Sequence, residues 1–269
     1  MLGVPHGDEL EDSRQGAPPR GVLYPARLPT FDRLSAPAAV DHLVRWFWIP
    51  QWDIQPGRTS RQHVIAYPAC NLVVEAGAAE LSGPTTRASH RDLAGTGWAV
   101  GALLRPAAVP HFTADPAALR DTSVTVDAPE LVRQVSATMP HRHRSAVDAF
   151  AAWLAAVTAP PSADALLANA MTELIDADPD IRTVEDVATR LSVSVRTLQR
   201  LAVRYVGLPP LAMVRRRRLQ EAAARLRTDP TVTLADVAAD LGYSDHAHLA
   251  KEFRSVLGLT LSTYRREVS

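Results

Sequence analysis

Thr183-Val184-Glu185-Asp186-Val187-Ala188-Thr189-Arg190-Leu191 and Thr233-Leu234-Ala235-Asp236-Val237-Ala238-Ala239-Asp240-Leu241 are two versions of one text, 50 residues apart. Thr, Asp, Val, Ala and Leu recur in place, which marks an internal repeat. One inserted residue later the offset becomes 51, and Leu198 falls on Leu249, Val206 on Leu257, Gly207 on Gly258 and Leu208 on Leu259. Each copy follows the same plan. A threonine caps a short helix whose Val and Ala face inward. A tight turn follows, Ser192-Val193-Ser194 in the first copy and Gly242-Tyr243-Ser244-Asp245 in the second. Ser194 and Asp245 are placed to cap the next helix, which ends at Gly207 or Gly258. Short helix, turn and capped second helix is the helix-turn-helix layout.

The second helix of the first copy separates into two faces. Leu198, Leu201, Ala202 and Tyr205 share one side at i, i+3, i+4, i+7. Arg196, Gln199, Arg200 and Arg204 lie opposite. Arginine bidentate to guanine and glutamine bidentate to adenine are the common major-groove pairings, so this face predicts a DNA reader. A merely solvated polar face is the bland alternative, and recurrence at matched positions in a basic domain argues against it. The second copy buries Leu249, Phe253 and Val256 and presents His246, Ala247, Ala250, Lys251 and Arg254. Its alanines suit thymine methyls, while Lys251 and Arg254 suit phosphates. The first reader is therefore expected to discriminate bases, and the second to add affinity and register.

A long helix, roughly Leu211 to Leu226, links the copies and carries Arg215-Arg216-Arg217-Arg218. Consecutive helical residues are about 100° apart, so four arginines in a row cannot share a face. One or two are expected on phosphates, and the rest on acids such as Glu221 or Asp240. A rigid connector would set both readers into successive major grooves, roughly 34 Å apart.

The charge distribution agrees. The 269-residue chain is neutral overall, with 29 basic and 29 acidic residues. Residues 181–269 hold 15 of the basic residues against 9 acids, while residues 1–180 hold 14 against 20. A basic end on an acidic body is expected when one domain meets a polyanion and the other does not. Cys70 is the only cysteine, which excludes a disulfide framework and a thiolate zinc site. The longest uncharged stretch of the helical middle, residues 149–163, is broken by Pro160-Pro161 and too short to span a membrane. The acidic N-terminus is unlike a signal peptide. A soluble cytoplasmic protein is expected.

Residues 1–20 are rich in Pro, Gly and acids and read as a disordered arm, with an over-extended start codon as the alternative. From Leu43 to Leu104 short apolar runs alternate with Pro and Gly turn signals. The runs include Val44–Ile49, His63–Tyr67, Asn71–Glu75 and Trp98–Leu104. They predict an antiparallel sandwich or barrel over residues 21–158. Helices are expected at Pro129 to Thr138 and Arg144 to Val157. The second carries an apolar stripe of Val147, Phe150, Leu154 and Val157, which packs on its own barrel or forms a seam between two protomers. Residues 159–162 read as a linker, and residues 163–269 as helical throughout. The fold class is thus α+β in two domains.

The repeat resembles the DNA-binding domain of the AraC/XylS family of bacterial transcription regulators. The likeness rests on Ser194-Val195-Arg196-Thr197-Leu198-Gln199-Arg200-Leu201, Gly207-Leu208-Pro209-Pro210 and Arg218 to Leu226, and it continues through Val237 to Asp245, Phe253-Arg254 and Tyr264-Arg265. It implies seven helices beginning at Ala163, double-stranded DNA as partner, and action through RNA polymerase recruitment. The family's base-contacting positions fall on Arg196, Gln199, Arg200, His246, Ala247, Ala250 and Lys251. Ala202 stands where the family usually has a large aromatic, and Leu261 where a proline is common. Gly97 to Pro106 resembles the cupin-type sensing or dimerisation domain of many members, which implies a possible small-molecule effector or homodimer and no cofactor. No motif transfers effector-binding residues.

Other chemistries find less support. His63, His90, His111 and Glu75 lack the spacing of a catalytic cupin metal site, and His246 and His248 point to different helix faces. Trp46, Phe47, Trp48, Trp52, Tyr67 and Trp98 could line a ligand pocket or simply form core. An Ada-type repair methyltransferase couples such a DNA-binding domain to a nucleophilic cysteine with a four-cysteine zinc site, and Cys70 stands alone. No other catalytic motif is present, so a non-enzyme is expected. Two other functions stay open: an effector-free DNA binder whose N-domain only dimerises, and a barrel with its own small-molecule chemistry tethered to DNA.

Overall fold

A computed structural model describes residues 30–64, 68–87, 89–229, 231–258 and 260–268. The expected arm, residues 1–20, and Tyr67 lie outside the described residues. The first part contains eight antiparallel strands: β1 (Thr30–Ser35), β2 (Val44–Asp53), β3 (Thr59–Val64), β4 (Asn71–Glu75), β5 (Ala78–Ser82), β6 (Ser89–Ala94), β7 (Thr96–Leu104) and β8 (Ser123–Thr125). Six form one sheet in the order β1-β2-β7-β4-β5-β8, and β3 pairs with β6 in a separate ribbon. The antiparallel class is as expected, but the sheet does not close on itself into a hydrogen-bonded barrel among the described residues.

Alternation along β2 explains the fate of the aromatics. Phe47 and Ile49 point into the core, while Trp46 and Trp48 lie on the other face. Trp48 and Trp52 stand opposite Gly101 and Gly97 on β7. A Cβ on Gly101 would lie 2.0 Å from the Trp48 ring, and one on Gly97 would lie 2.3 Å from the Trp52 ring. Each indole therefore lies flat over a glycine, which is why those two positions have no side chain. Phe47 meets Phe150 edge-on at 5.4 Å, and Trp46 is flanked by the guanidinium groups of Arg33 and Arg45. Among the described residues these aromatics pack on glycines, on each other and on arginines.

Helices α1 (Pro129–Ser136) and α2 (His143–Val157) cover the inner face of the sheet. Val147, Phe150 and Leu154 are fully buried against Phe47, Leu72, Val100 and Leu131. The stripe thus packs on its own sheet, and only Val157, 48% exposed, is left over for any protomer seam.

Seven helices follow: α3 (Ala163–Ala177), α4 (Val184–Arg190), α5 (Val195–Tyr205), α6 (Pro210–Thr228), α7 (Leu234–Asp240), α8 (His246–Leu257) and α9 (Leu261–Val268). They enclose two separate cores. The first collects Ala168, Met171, Val187, Leu198, Leu201 and Ala202 with Met213 and Val214. The second collects Val237, Leu249, Phe253 and Tyr264 with Leu219, Ala222 and Leu226. Helix α6 contributes to both, and its 19 residues make it about 28 Å long. Ala202 is fully buried, so this departure from the family is a smaller residue in a true core position. Leu261 is also buried, and Thr260 caps its helix by accepting from the Thr263 N–H at 3.0 Å.

The first core also takes in Ala107 from the short 3-10 turn Pro106–His111 of the sheet part. Asn169 on α3 accepts from the Ala107 N–H at 2.9 Å and donates to the His42 carbonyl at 2.8 Å. Arg45 pairs with Asp176, and Arg105 with Glu173 at 3.0 Å. Arg120 Nε donates to the Gly207 carbonyl at 2.6 Å. Gly207 (φ +79°) leaves α5 in the left-handed region, and a Cβ there would lie 2.6 Å from the Pro116 backbone. The sheet part is therefore docked on the first helix-turn-helix unit.

Two predictions follow from this geometry. Asn169→Ala leaves a buried N–H and a part-buried carbonyl unpaired, and should cost about 2 kcal/mol in urea denaturation; no change would mean the joint is not formed in solution. In the two helix-turn-helix turns, Ser192 (φ +54°) and Gly242 (φ +71°) occupy equivalent left-handed positions. The side-chain penalty there is borne only by the first copy. Ser192→Gly should therefore raise, and Gly242→Ala lower, stability by about 1 kcal/mol each in thermal or urea unfolding.

Candidate nucleic-acid interface

Both repeat copies close their turns in the same way. Leu191 and Ser192, then Leu241 and Gly242, leave the first helix, and the Val193 N–H reaches the Ala188 carbonyl (3.0 Å) as the Tyr243 N–H reaches that of Ala238 (2.9 Å). The caps fall where the sequence placed them. Thr183 and Asp186 form a reciprocal capping box, with bonds of 3.1 Å and 2.8 Å. Thr233 accepts from the Asp236 N–H at 3.1 Å. Ser194 Oγ accepts from the Thr197 N–H at 3.0 Å, and Asp245 from the His248 N–H at 2.7 Å. That bond, made to the ionised carboxylate, holds Asp245 below the usual range.

On α5 the four expected reader residues, Arg196, Gln199, Arg200 and Arg204, are all exposed, and Leu198, Leu201, Ala202 and Tyr205 are buried. Arg204 lies over the Tyr205 ring at 5.3 Å. Arg200 Nη1 donates to Asp164 Oδ2 at 2.7 Å. Val203, 57% exposed, lies on the same stripe three residues beyond Arg200, and the sequence reading passed over it. On α8, His246, Ala247, Lys251 and Arg254 are exposed. Ala250 is only half-exposed, because it also packs on the second core. Val256 is half-buried, and Leu249 and Phe253 are fully buried. His248 turns to Ser244 (3.2 Å) and to the Tyr243 ring, away from His246.

Burial divides the arginine run, leaving Arg215 and Arg218 as the two members that could meet the expectation of one or two phosphate clamps. Arg215 and Arg218, three residues apart, turn to the same part of the second unit, while Arg216 and Arg217 each brace a different neighbour. Arg215 pairs with Glu252 of α8 at 3.5 Å. Arg216 is buried and donates to the Thr85 carbonyl and hydroxyl at 2.8 and 2.9 Å. Arg217 is buried against Glu221 (2.9 Å) and the Ile181 carbonyl (2.8 Å). Arg218 lies 4.0 Å over the Tyr243 ring, whose hydroxyl donates to Glu252 at 2.6 Å. Only Arg215 is largely exposed, so two members of the run are removed from any phosphate by burial. Burial lowers Arg216 to about 10, against the favourable charge of Asp121, so it stays ionised at neutral pH. Glu221 is an acid partner as expected, whereas Asp240 goes to Arg225 at 2.8 Å.

At the joint a narrow cleft is walled by Arg45, Cys70 and Leu104 on the sheet side and by Tyr205, Met213 and Gln220 on the helical side. Gln220 is buried, and its Nε2 has no acceptor among the described residues. Burial pushes the Cys70 thiol up to about 12, which removes the thiolate a methyl acceptor would need. Glu75 is engaged by Arg91 at 2.6 Å. Among the described residues no group of three or more His, Cys, Asp or Glu could hold a metal ion, and no helix is long and apolar enough to cross a membrane.

Comparison with known proteins locates both parts. A helix-turn-helix domain family matches residues 187–267, and a domain of unknown function matches residues 32–125. A putative AraC-like transcription regulator of Streptomyces lividans is 35% identical over 118 residues, covering 44% of this chain and 37% of that protein. The transcriptional activator AarP of Providencia stuartii is 32% identical over 83 residues, covering 31% of this chain and 61% of that protein. The crystal structure of ToxT from Vibrio cholerae aligns over 89% of this chain and 96% of its own, with a TM-score of 0.42 and 9% identity. The matched part thus spans under two fifths of the Streptomyces relative.

The cap at Asp245 yields a pH prediction. Its folded pKa is lowered, so its contribution is complete above the unfolded value, about 3.9, and is lost as pH falls through the folded one. The difference in melting temperature between the natural chain and Asp245→Ala should be constant near neutral pH and shrink below about pH 4. A difference unchanged down to pH 2 would show that the carboxylate caps nothing.

Proposed function

We propose that the chain, whose residues 187–267 match a helix-turn-helix domain family and which is similar to a putative AraC-like regulator over 44% of its length, is a one-component transcription regulator of the AraC/XylS type that binds a bipartite DNA site. In this reading α5 enters one major groove and reads bases through Arg196, Gln199 and Arg200, with Arg204 on the backbone. Helix α8 enters the next groove. Ala247 and Ala250 approach thymine methyls there, His246 lies at the groove edge, and Lys251 and Arg254 hold phosphates. The observation that carries the proposal is the repeated cap-turn-cap geometry with two exposed readers joined through α6, braced on both cores.

The sheet part would govern the first reader, because Asn169, Asp176 and Gly207, through which it docks, all belong to the first unit. Sensing of a small molecule is part of the proposal. The cleft beside Gln220 is where a ligand would bear on α5 and α6 together. Pairing of two copies and recruitment of RNA polymerase complete the reading and rest on the family resemblance. No catalytic step is proposed.

Selection from a random duplex library with the full chain, at two salt concentrations, tests the core of this reading. Enrichment of two half-sites about one helical turn apart is expected, with affinity falling steeply as salt rises. Absence of any enriched motif, with or without candidate small molecules, would overturn it.

A further inference from the structure

The reader residue Arg200 is already held before any DNA arrives. Its Nη1 donates to Asp164 Oδ2 at 2.7 Å. Asp164 sits in the first turn of α3, two residues after the Ser162 cap, where the positive end of the helix favours a carboxylate. The bond from Arg200, and then the charges of Arg200 and Arg204, keep its carboxyl low. Helix α3 is itself fixed on two sides. Ala165 and Ala168 pack in the core with Leu201 and Tyr205, and Asn169 ties it to the sheet part. The carboxylate therefore stands at a defined place beside the reader.

The nitrogen it takes matters. A guanidinium binds guanine through two parallel N–H groups, to O6 and N7. The Nε and Nη2 groups form one such edge. Asp164 occupies Nη1 and leaves that edge available. A long side chain loses rotamer freedom when it binds, and one already held loses less.

We propose that Asp164 is the positioning residue of the first reader, holding Arg200 so that its Nε–Nη2 edge meets guanine and sets the base preference at one base pair. The proposal rests on the reading of α5 as a major-groove helix and assigns Asp164 no DNA contact of its own. The rival role for a carboxylate beside a groove is uniform repulsion of phosphates, which weakens binding to every sequence alike.

The two roles separate by experiment with the full chain and the selected duplex. Arg200→Ala first identifies the guanine position, because preference is lost there. Affinities are then measured for duplexes carrying each of the four base pairs at that position, using Asp164→Ala, Asp164→Asn and Asp164→Glu. Asp164→Ala is expected to reduce the preference for guanine by about 3- to 10-fold while leaving preferences elsewhere intact. Asp164→Glu should restore part of it, and Asp164→Ala should change nothing at that position in an Arg200→Ala background. Melting temperatures of the variants close to that of the natural chain would exclude a folding defect. If Asp164→Ala and Asp164→Asn tighten all duplexes equally and leave the preference ratio unchanged, Asp164 only repels phosphates and the proposal is wrong. Should Arg200→Ala leave every preference of a selected motif intact, Arg200 is not a base reader and the positioning role falls with it. A natural chain that selects no motif would instead sink the regulator reading itself.

Discussion

Four consecutive arginines at the middle of one helix set the shape of the helical half. Because successive helical side chains diverge by about 100°, Arg215 to Arg218 reach three separate places rather than one surface. Arg217 ties α6 to the Ile181 carbonyl ahead of α4, Arg218 and Arg215 converge on the Tyr243–Glu252 pair of the second unit, and Arg216 crosses to Thr85. The same helix places Met213 in one core and Leu219 in the other. The two helix-turn-helix units are thereby fixed to a common rod, which is what the proposed binding at a defined half-site spacing would require. Buried arginines are costly unless their donors are met, so this hub depends on carbonyls at Ile181 and Thr85 as much as on Glu221.

Docking of the sheet part on the first unit and on Arg216 of α6 has a physical consequence. Ala107 is shared between its turn and the first core, and Asn169 satisfies a donor and an acceptor of the sheet part at once. A change at the joint would act on α3, on the Gly207 corner and on the start of α6 before it reached α8. The asymmetry of the two readers fits this arrangement. The one rich in hydrogen-bonding side chains is the one that the sheet part holds.

Much of the helical half was legible in the sequence, because its determinants are local. Thr183, Ser194, Thr233 and Asp245 announce their caps, and Gly207, Gly242 and Gly258 their left-handed turns. The sheet half was less so. Strands β1, β6 and β8 are short, polar and largely exposed on both faces, so Ser89–Ala94 carries no alternation to read. Open rather than closed pairing is likewise a property of distant edges. What periodicity could not show was which polar residue in an apolar pattern faces what. Nothing in the sequence pattern of α3 singles out Asn169, which forms the joint, or Asp164, which holds Arg200. The arginine run was correctly denied a common face, but its partners were set by tertiary placement.

The claim on which all of this turns is that two readers on one rigid rod engage one face of the duplex. Inserting five base pairs between the selected half-sites rotates one half by about half a turn relative to the other. The account predicts that affinity then falls by at least about tenfold, toward that of a single half-site, and recovers substantially less than fully with a ten-base-pair insertion that restores the face but not the distance. Affinity indifferent to both insertions would contradict it, because the readers would then be independent.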